Sequence, residues 1–175
     1  MEGELPGASE CAAPWALCAR RGLCFDRRVS DTLVLGYGNC LRRDDGAGPE
    51  VARRVEALAL PGVEVIEAHQ LLPEHAEALS RARRAIFVDA SVDEGLEEVR
   101  VRELRPSSDP SLAPHASDPE SLLSLAALLF ERAPEAWLVE IPASDLGIGE
   151  GLSEAAGRCC GEAFELVREL IAASV

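Results

Sequence analysis

The stretch LVLGYGNCLRRDDGAG, from Leu33 to Gly48, decides how the rest of this chain is organised. It starts with apolar residues typical of a buried strand, continues into a glycine-containing turn and ends near two adjacent carboxylates, Asp44 and Asp45. The residues after Gly48 place apolar side chains at helical spacing, so the stretch predicts a strand, a loop and a helix. Loops at the carboxyl ends of parallel strands form the ligand crevice in open α/β sheets. We therefore expect the two aspartates in a functional crevice.

The pattern of apolar residues downstream predicts a three-layer αβα domain. Strands are expected near residues 32–36, 63–66, 85–89, 97–104 and 137–142, and helices near 48–60, 73–82 and 119–132 and after Ser153. Too few residues separate the third and fourth strands for a parallel return. We therefore expect a five-stranded, mostly parallel mixed sheet, in which strand four runs antiparallel to strand three as a half-exposed edge strand.

Composition and charge narrow the class of protein. The chain has 175 residues, of which 47% are hydrophobic, and a formal net charge of -14, which suits one acidic domain over residues 31–175. Residues 1–30 have neither helical nor strand periodicity and are interpreted as a flexible N-terminal extension. The negative charge argues against nucleic-acid or anionic-membrane partners. Because there is no long apolar run and no basic signal-like start, we predict a cytoplasmic location.

Two common site types are disfavoured by the spacing of the residues. The six cysteines lack zinc-ligand spacing, and Cys40, Cys159 and Cys160 are interpreted as small apolar residues. Gly36 and Gly38 match the first two glycines of the G-x-G-x-x-G dinucleotide-binding motif, but Leu41 occupies the third glycine position and the loop is acidic. Since carboxylates repel phosphate, nucleotide binding is the weaker hypothesis.

The loop residues as they stand, Gly36-x-Gly38-Asn39-x-Leu41-x-x-Asp44-Asp45-Gly46-x-Gly48, resemble the opening signature of the hydrogenase maturation proteases. Two later stretches extend the resemblance: the apolar strand that ends in Asp89, and His115 before a leucine-rich helix. The resemblance implies a phosphorylase/hydrolase-like fold. It also implies an endopeptidase that removes the C-terminal peptide of a nickel-loaded [NiFe] hydrogenase large-subunit precursor.

The resemblance further implies which residues act. Asp45, Asp89 and His115 match the metal-contacting positions, and the metal is expected to be nickel supplied by the substrate, with another divalent metal as the alternative. Asp45 and Asp89 are the candidate catalytic carboxylates. Four residues of the first loop are expected to shape the site: Gly36, Gly38, Asn39 and Asp44.

The residue types themselves are compatible with this chemistry. Two carboxylates and one imidazole form a mixed oxygen and nitrogen set that suits a divalent ion of the nickel or zinc type. Without an ion, two neighbouring carboxylates raise one another's pKa and share a proton. His69 follows the second strand and is a possible further site residue, although a loop-capping role is the simpler interpretation. The alternative function is a non-cleaving, nickel-sensing chaperone of hydrogenase assembly.

Overall fold

A computed structural model describes residues 30–93, 95–107 and 118–173, and its centre is one five-stranded sheet. The strands are β1 (Thr32–Tyr37), β2 (Val63–Ala68), β3 (Arg84–Ser91), β4 (Arg100–Leu104) and β5 (Glu135–Pro142). Their order across the sheet is β2-β1-β3-β5-β4. Every neighbouring pair is parallel except β4 with β5, which is antiparallel. The predicted mixed, mostly parallel sheet is confirmed.

Four α-helices cover the two faces of the sheet. They are α1 (Ala47–Glu56), α2 (His75–Arg81), α3 (Pro119–Phe130) and α4 (Glu154–Ala172). Alternate strand residues such as Leu35 and Phe87 pack with α2 and α3 in one apolar cluster. Their sequence neighbours Val34 and Ile86 pack with α1 and α4 in a second cluster on the other face. Central strands that are apolar on both faces thus produce the predicted three layers.

The fourth strand has the predicted direction and lies at an edge of the sheet. β4 pairs with β5, so that β5 separates it from β3. Its direction relative to β3 and its edge position are as predicted, since β5 itself is parallel to β3. The length of the connection limits the direction of β4, but it does not determine which strand β4 pairs with.

The positions of the helix ends depend more on local capping and backbone conformation than on the apolar periodicity of the sequence. The Asp118 side chain accepts a hydrogen bond from the Ser121 amide at 2.9 Å, and the Ser153 hydroxyl accepts one from the Ala156 amide at 3.2 Å. Aspartate and serine are both residue types that favour the N-cap position. The first helix, however, ends at Glu56 rather than near residue 60. Ala59 has a left-handed backbone (φ 48°), which the helical apolar pattern does not reveal.

The cysteine interpretation is correct for two of the three residues that the structure describes. Cys160 is buried in the cluster under α1 and α4, and Cys159 packs against that cluster, whereas Cys40 is exposed in the loop after β1. Burial raises the pKa of the Cys160 thiol to about 11, which makes it an unreactive apolar residue. Nothing in the described part of the chain is a helix long and apolar enough to cross a membrane.

Candidate active site at the carboxyl edge of the sheet

The parallel strands bring two predicted site residues to one edge of the sheet. Asp45 lies in a short 3-10 turn, Arg43–Gly46, in the loop after β1, and Asp89 lies near the end of the adjacent strand β3. Both side chains are partly accessible to solvent. The negative charge of Asp45 also contributes to the pKa of Asp89, so the two carboxylates interact electrostatically. The crevice predicted from strand direction therefore contains both of these carboxylates.

The glycine turn positions the Asp45 carboxylate. The Asn39 amide donates a hydrogen bond to Asp45 Oδ2 at 3.0 Å, and the Asn39 side-chain oxygen accepts one from the Leu41 amide at 2.9 Å. Gly38 has φ +140°, and a Cβ built there would lie 1.9 Å from the Asp45 carbonyl oxygen. A side chain at residue 38 would therefore displace the backbone that carries Asp45.

Asp44 is a structural residue rather than a partner of Asp45 in the crevice. It was expected, like Asp45, where chemistry occurs, but its side chain is 0% exposed. Its carboxylate accepts four hydrogen bonds, from the amides of Ser144, Asp145 and Ser153 and from the Ser153 hydroxyl, at distances of 2.7 to 3.1 Å. Asp44 therefore ties the loop after β1 to the loop between β5 and α4.

Those four hydrogen bonds keep Asp44 ionised. Burial by itself would raise the pKa of the Asp44 carboxyl, but the bonds from Ser153, Asp145 and Ser144 hold that pKa below its usual value. The role of Asp44 in shaping the site stays a prediction. The sequence does not show which of the two adjacent aspartates faces solvent. That depends on the 3-10 turn, which points the two side chains in different directions.

Asp89 has the environment of a functional carboxyl group. Burial raises the pKa of Asp89 to about 6, assisted by the negative charges of Asp45 and Glu140, although hydrogen bonds from Tyr37 and Ala90 oppose the rise. The Ala90 amide donates to Asp89 Oδ1 at 2.8 Å. A carboxyl group that titrates near neutral pH can accept or release a proton under physiological conditions.

Sequence reasoning missed the polar row in which Asp89 lies. Asp89 is the register partner of Glu140 on β5, and Glu140 is the register partner of Arg100 on β4. The pairing of Gly36 with Val88 places Tyr37 beside Asp89 on the other side. Tyr37, Asp89, Glu140 and Arg100 thus form one row across four strands. Strand register identifies this row, and the register can be assigned only once the strand order is known.

The predicted histidines have different outcomes. His115 lies outside the described residues. His69 is exposed and lines an open groove of about 360 Å³ with Gly38, Asn39, Cys40, Leu41, Pro49, Glu67 and Ala68. The histidine that caps a loop is instead His75, whose Nδ1 accepts a hydrogen bond from the Leu72 amide at 3.1 Å. His69 therefore lies beside the turn that positions Asp45, as its place after β2 predicts.

The described residues contain two of the three predicted metal-contacting side chains, Asp45 and Asp89. Among them no group of three or more histidine, cysteine, aspartate or glutamate side chains is arranged to hold a metal ion. Asp45 and Asp89 place two carboxylates at one edge of the sheet, which is the number of carboxylates in the predicted set. Two carboxylates of this kind can contact a divalent ion delivered by another molecule, or they can orient a water molecule.

Comparison with solved structures identifies similar folds. A [NiFe] hydrogenase maturation protease, HybD, from Thermococcus kodakarensis is 24% identical, with a TM-score of 0.63 over 79% of this chain and 97% of that chain. The hydrogenase-maturating endopeptidase HybD from E. coli is 22% identical, with a TM-score of 0.64 over 82% and 93%. A hydrogenase 2 maturation peptidase from a Thaumarchaeota archaeon is 26% identical, with a TM-score of 0.60 over 80% and 97%.

Other comparisons return nothing. No protein-family profile matches the chain, and no curated protein matches it. The structural matches nevertheless extend over nearly the whole length of each of the three proteins. The resemblance recognised in the sequence is therefore confirmed at the level of the fold.

Proposed function

We propose that this chain, which has the fold of the hydrogenase maturation proteases, is an endopeptidase that removes the C-terminal peptide of a [NiFe] hydrogenase large-subunit precursor. The observation that carries the proposal is the meeting of Asp45 and Asp89 at the carboxyl edge of the sheet. Both residues belong to the sequence stretches that resemble the family. The maturation proteases named above, whose fold this chain has, support the same reaction class.

The two carboxylates have complementary environments for hydrolysis of a peptide bond. Asp89 has a pKa of about 6, and its proton can therefore be exchanged near neutral pH. Asp45 is held by the Asn39 amide at the mouth of the crevice. Either carboxylate can orient an attacking water molecule and take its proton, while the other stays charged.

Nickel belongs to the substrate in this proposal. Asp45, Asp89 and His115 would contact nickel that is already bound in the immature large subunit, and this contact would place the scissile bond beside the carboxylates. Oxygen and imidazole donors suit nickel, and another divalent metal with similar preferences would also fit. A precursor that lacks the metal would dock less well, so that cleavage follows metal insertion.

The surface beside the crevice suits a protein substrate. Ile148 is 93% exposed and Leu41 is 62% exposed. Their loops are joined by a hydrogen bond of 2.9 Å from the Gly149 amide to the Leu41 carbonyl and by a second of 3.1 Å from the Arg43 amide to the Gly149 carbonyl. Apolar side chains presented on hydrogen-bonded loops beside a site are available for contact with a partner.

Intact-mass spectrometry of a nickel-loaded precursor tests the function. Incubation with the native chain should remove one C-terminal peptide, whereas the Asp45→Ala and Asp89→Ala variants should leave the mass unchanged. Glu98→Ala, which alters an exposed carboxylate on the connection before β4, serves as the matched control and should cleave normally. Retention of the full mass with the native chain would refute the protease and favour the chaperone alternative.

A further inference from the structure

Tyr37 makes a contact that the proposed function does not use. It is the last residue of β1 and lies between Gly36 and Gly38, directly before the turn that positions Asp45. Because Gly36 pairs with Val88, the next residue on each parallel strand places Tyr37 beside Asp89 on the same face of the sheet. The Tyr37 hydroxyl is hydrogen-bonded to the Asp89 side chain.

The tyrosine ring is itself held in place. It packs against the apolar cluster under α2 and α3, which contains Leu35 and Phe87 from the same two strands. The side chain is only partly exposed, and its hydroxyl is near the charges of Glu120 at the start of α3 and Arg102 on β4. A phenol anchored by its ring presents its hydroxyl at a defined place, unlike a donor on a long flexible side chain.

Tyr37 supplies the second of two hydrogen bonds to the Asp89 carboxylate, beside the one from the Ala90 amide. On the opposite side of the row, Glu140 brings a negative charge, and its own carboxylate is bound by Arg100 at 2.9 and 3.1 Å. The Ala90 amide donates to Asp89 Oδ1. One backbone amide alone leaves the carboxylate free to rotate, whereas a second donor from the adjacent strand fixes its plane. A carboxylate has about four acceptor positions, so room remains for a water molecule or an ion.

We propose that Tyr37 is a positioning residue for Asp89, and that its hydroxyl hydrogen bond holds the Asp89 carboxylate in the orientation that meets the scissile peptide and the metal of the substrate. This inference rests on the proposed function. It assigns a role to Tyr37, which lies between the two glycines of the first loop. The contact of Tyr37 with Asp89 cannot be inferred from the residue types alone.

The test compares Tyr37→Phe with the native chain in cleavage of the nickel-loaded precursor. Phenylalanine keeps the packed ring and removes only the hydroxyl. We expect kcat to fall about tenfold, the effect of losing one hydrogen bond to a charged group, while KM changes by less than about twofold. Ser80→Ala is the matched control, since Ser80 is 3% exposed and its hydroxyl is hydrogen-bonded within α2. It should leave both constants unchanged.

A spectroscopic measurement separates positioning from a general structural effect. In protein labelled with carbon-13 aspartate, the Asp89 carboxyl resonance is assigned by its loss in Asp89→Asn. It should shift in Tyr37→Phe and stay in place in Ser80→Ala. If the native chain cleaves and Tyr37→Phe matches it in kcat, or if only KM changes, the positioning inference fails while the proposed function stands. If the native chain does not cleave, the proposed function itself fails.

Discussion

Replacing Asp89 by asparagine should stabilise the fold while it abolishes cleavage. The raised pKa shows that the folded chain binds the Asp89 proton more tightly than the unfolded chain does. A rise from the ordinary value of 3.8 to about 6 corresponds to about 3 kcal/mol, because a tenfold change in proton affinity is about 1.4 kcal/mol. Asparagine has nearly the same shape, can accept the hydrogen bonds from Ala90 and Tyr37, and carries no charge to bury.

The sign of the pH dependence follows from this linkage. The contribution of Asp89 to the free energy of unfolding is fully present below the pKa of the unfolded state, near 4, and is lost as the pH rises through about 6. The difference in free energy of unfolding between Asp89→Asn and the native chain should therefore be small below about pH 4. It should reach roughly half its full size at pH 5 and nearly all of it above pH 7.

Urea unfolding at pH 5, 6, 7 and 8, followed by circular dichroism in the presence of a chelator, measures this difference. Because Asp89 is partly exposed, we expect a gain of about 1 to 3 kcal/mol at pH 8. Glu98→Gln, which removes an exposed carboxylate from the connection between β3 and β4, controls for the change in net charge. A variant that is less stable than the native chain at pH 8, or a gain that does not depend on pH, would refute the reasoning.

Three further substitutions, and one control, test other parts of the site. Asp44→Ala removes a buried carboxylate and leaves its four hydrogen-bond donors without their acceptor, so urea unfolding at pH 7 should show a loss of about 3 kcal/mol; a loss below about 1 kcal/mol would contradict the anchoring role. Gly38→Ala places a Cβ 1.9 Å from the Asp45 carbonyl oxygen and should lower the melting temperature. Gly157→Ala, whose Cβ meets nothing within 4 Å in α4, should not. Ile148→Ser should raise KM for the precursor without changing the melting temperature, and an unchanged KM would exclude Ile148 from substrate contact.

Much of the fold could be predicted because local rules and tertiary packing agree. The central strands are apolar on both faces, and the N-caps at Asp118 and Ser153 are formed by side chains whose preference for that position is strong. The place of β4 could not be predicted in the same way. Its neighbour depends on a contact with β5, which lies about thirty residues later in the chain.

The candidate site was predictable in outline and not in detail. Parallel strands must bring the ends of β1 and β3 to one edge, so the closeness of Asp45 and Asp89 follows from the fold class. Asp44 is buried and Asp45 faces the crevice because of a 3-10 turn and of hydrogen-bond donors about a hundred residues away in the chain. No local sequence pattern indicates either feature. The contact between Tyr37 and Asp89 likewise needs the strand register.

The rate of peptide removal from nickel-loaded and nickel-free forms of the same large-subunit precursor tests the central claim most directly. The claim is that the carboxylates of Asp45 and Asp89 engage a metal that the substrate presents. The native chain should therefore cut the nickel-loaded form and leave the nickel-free form essentially intact. Cleavage of both forms at equal rates would contradict the account, because the two carboxylates would then act without the metal.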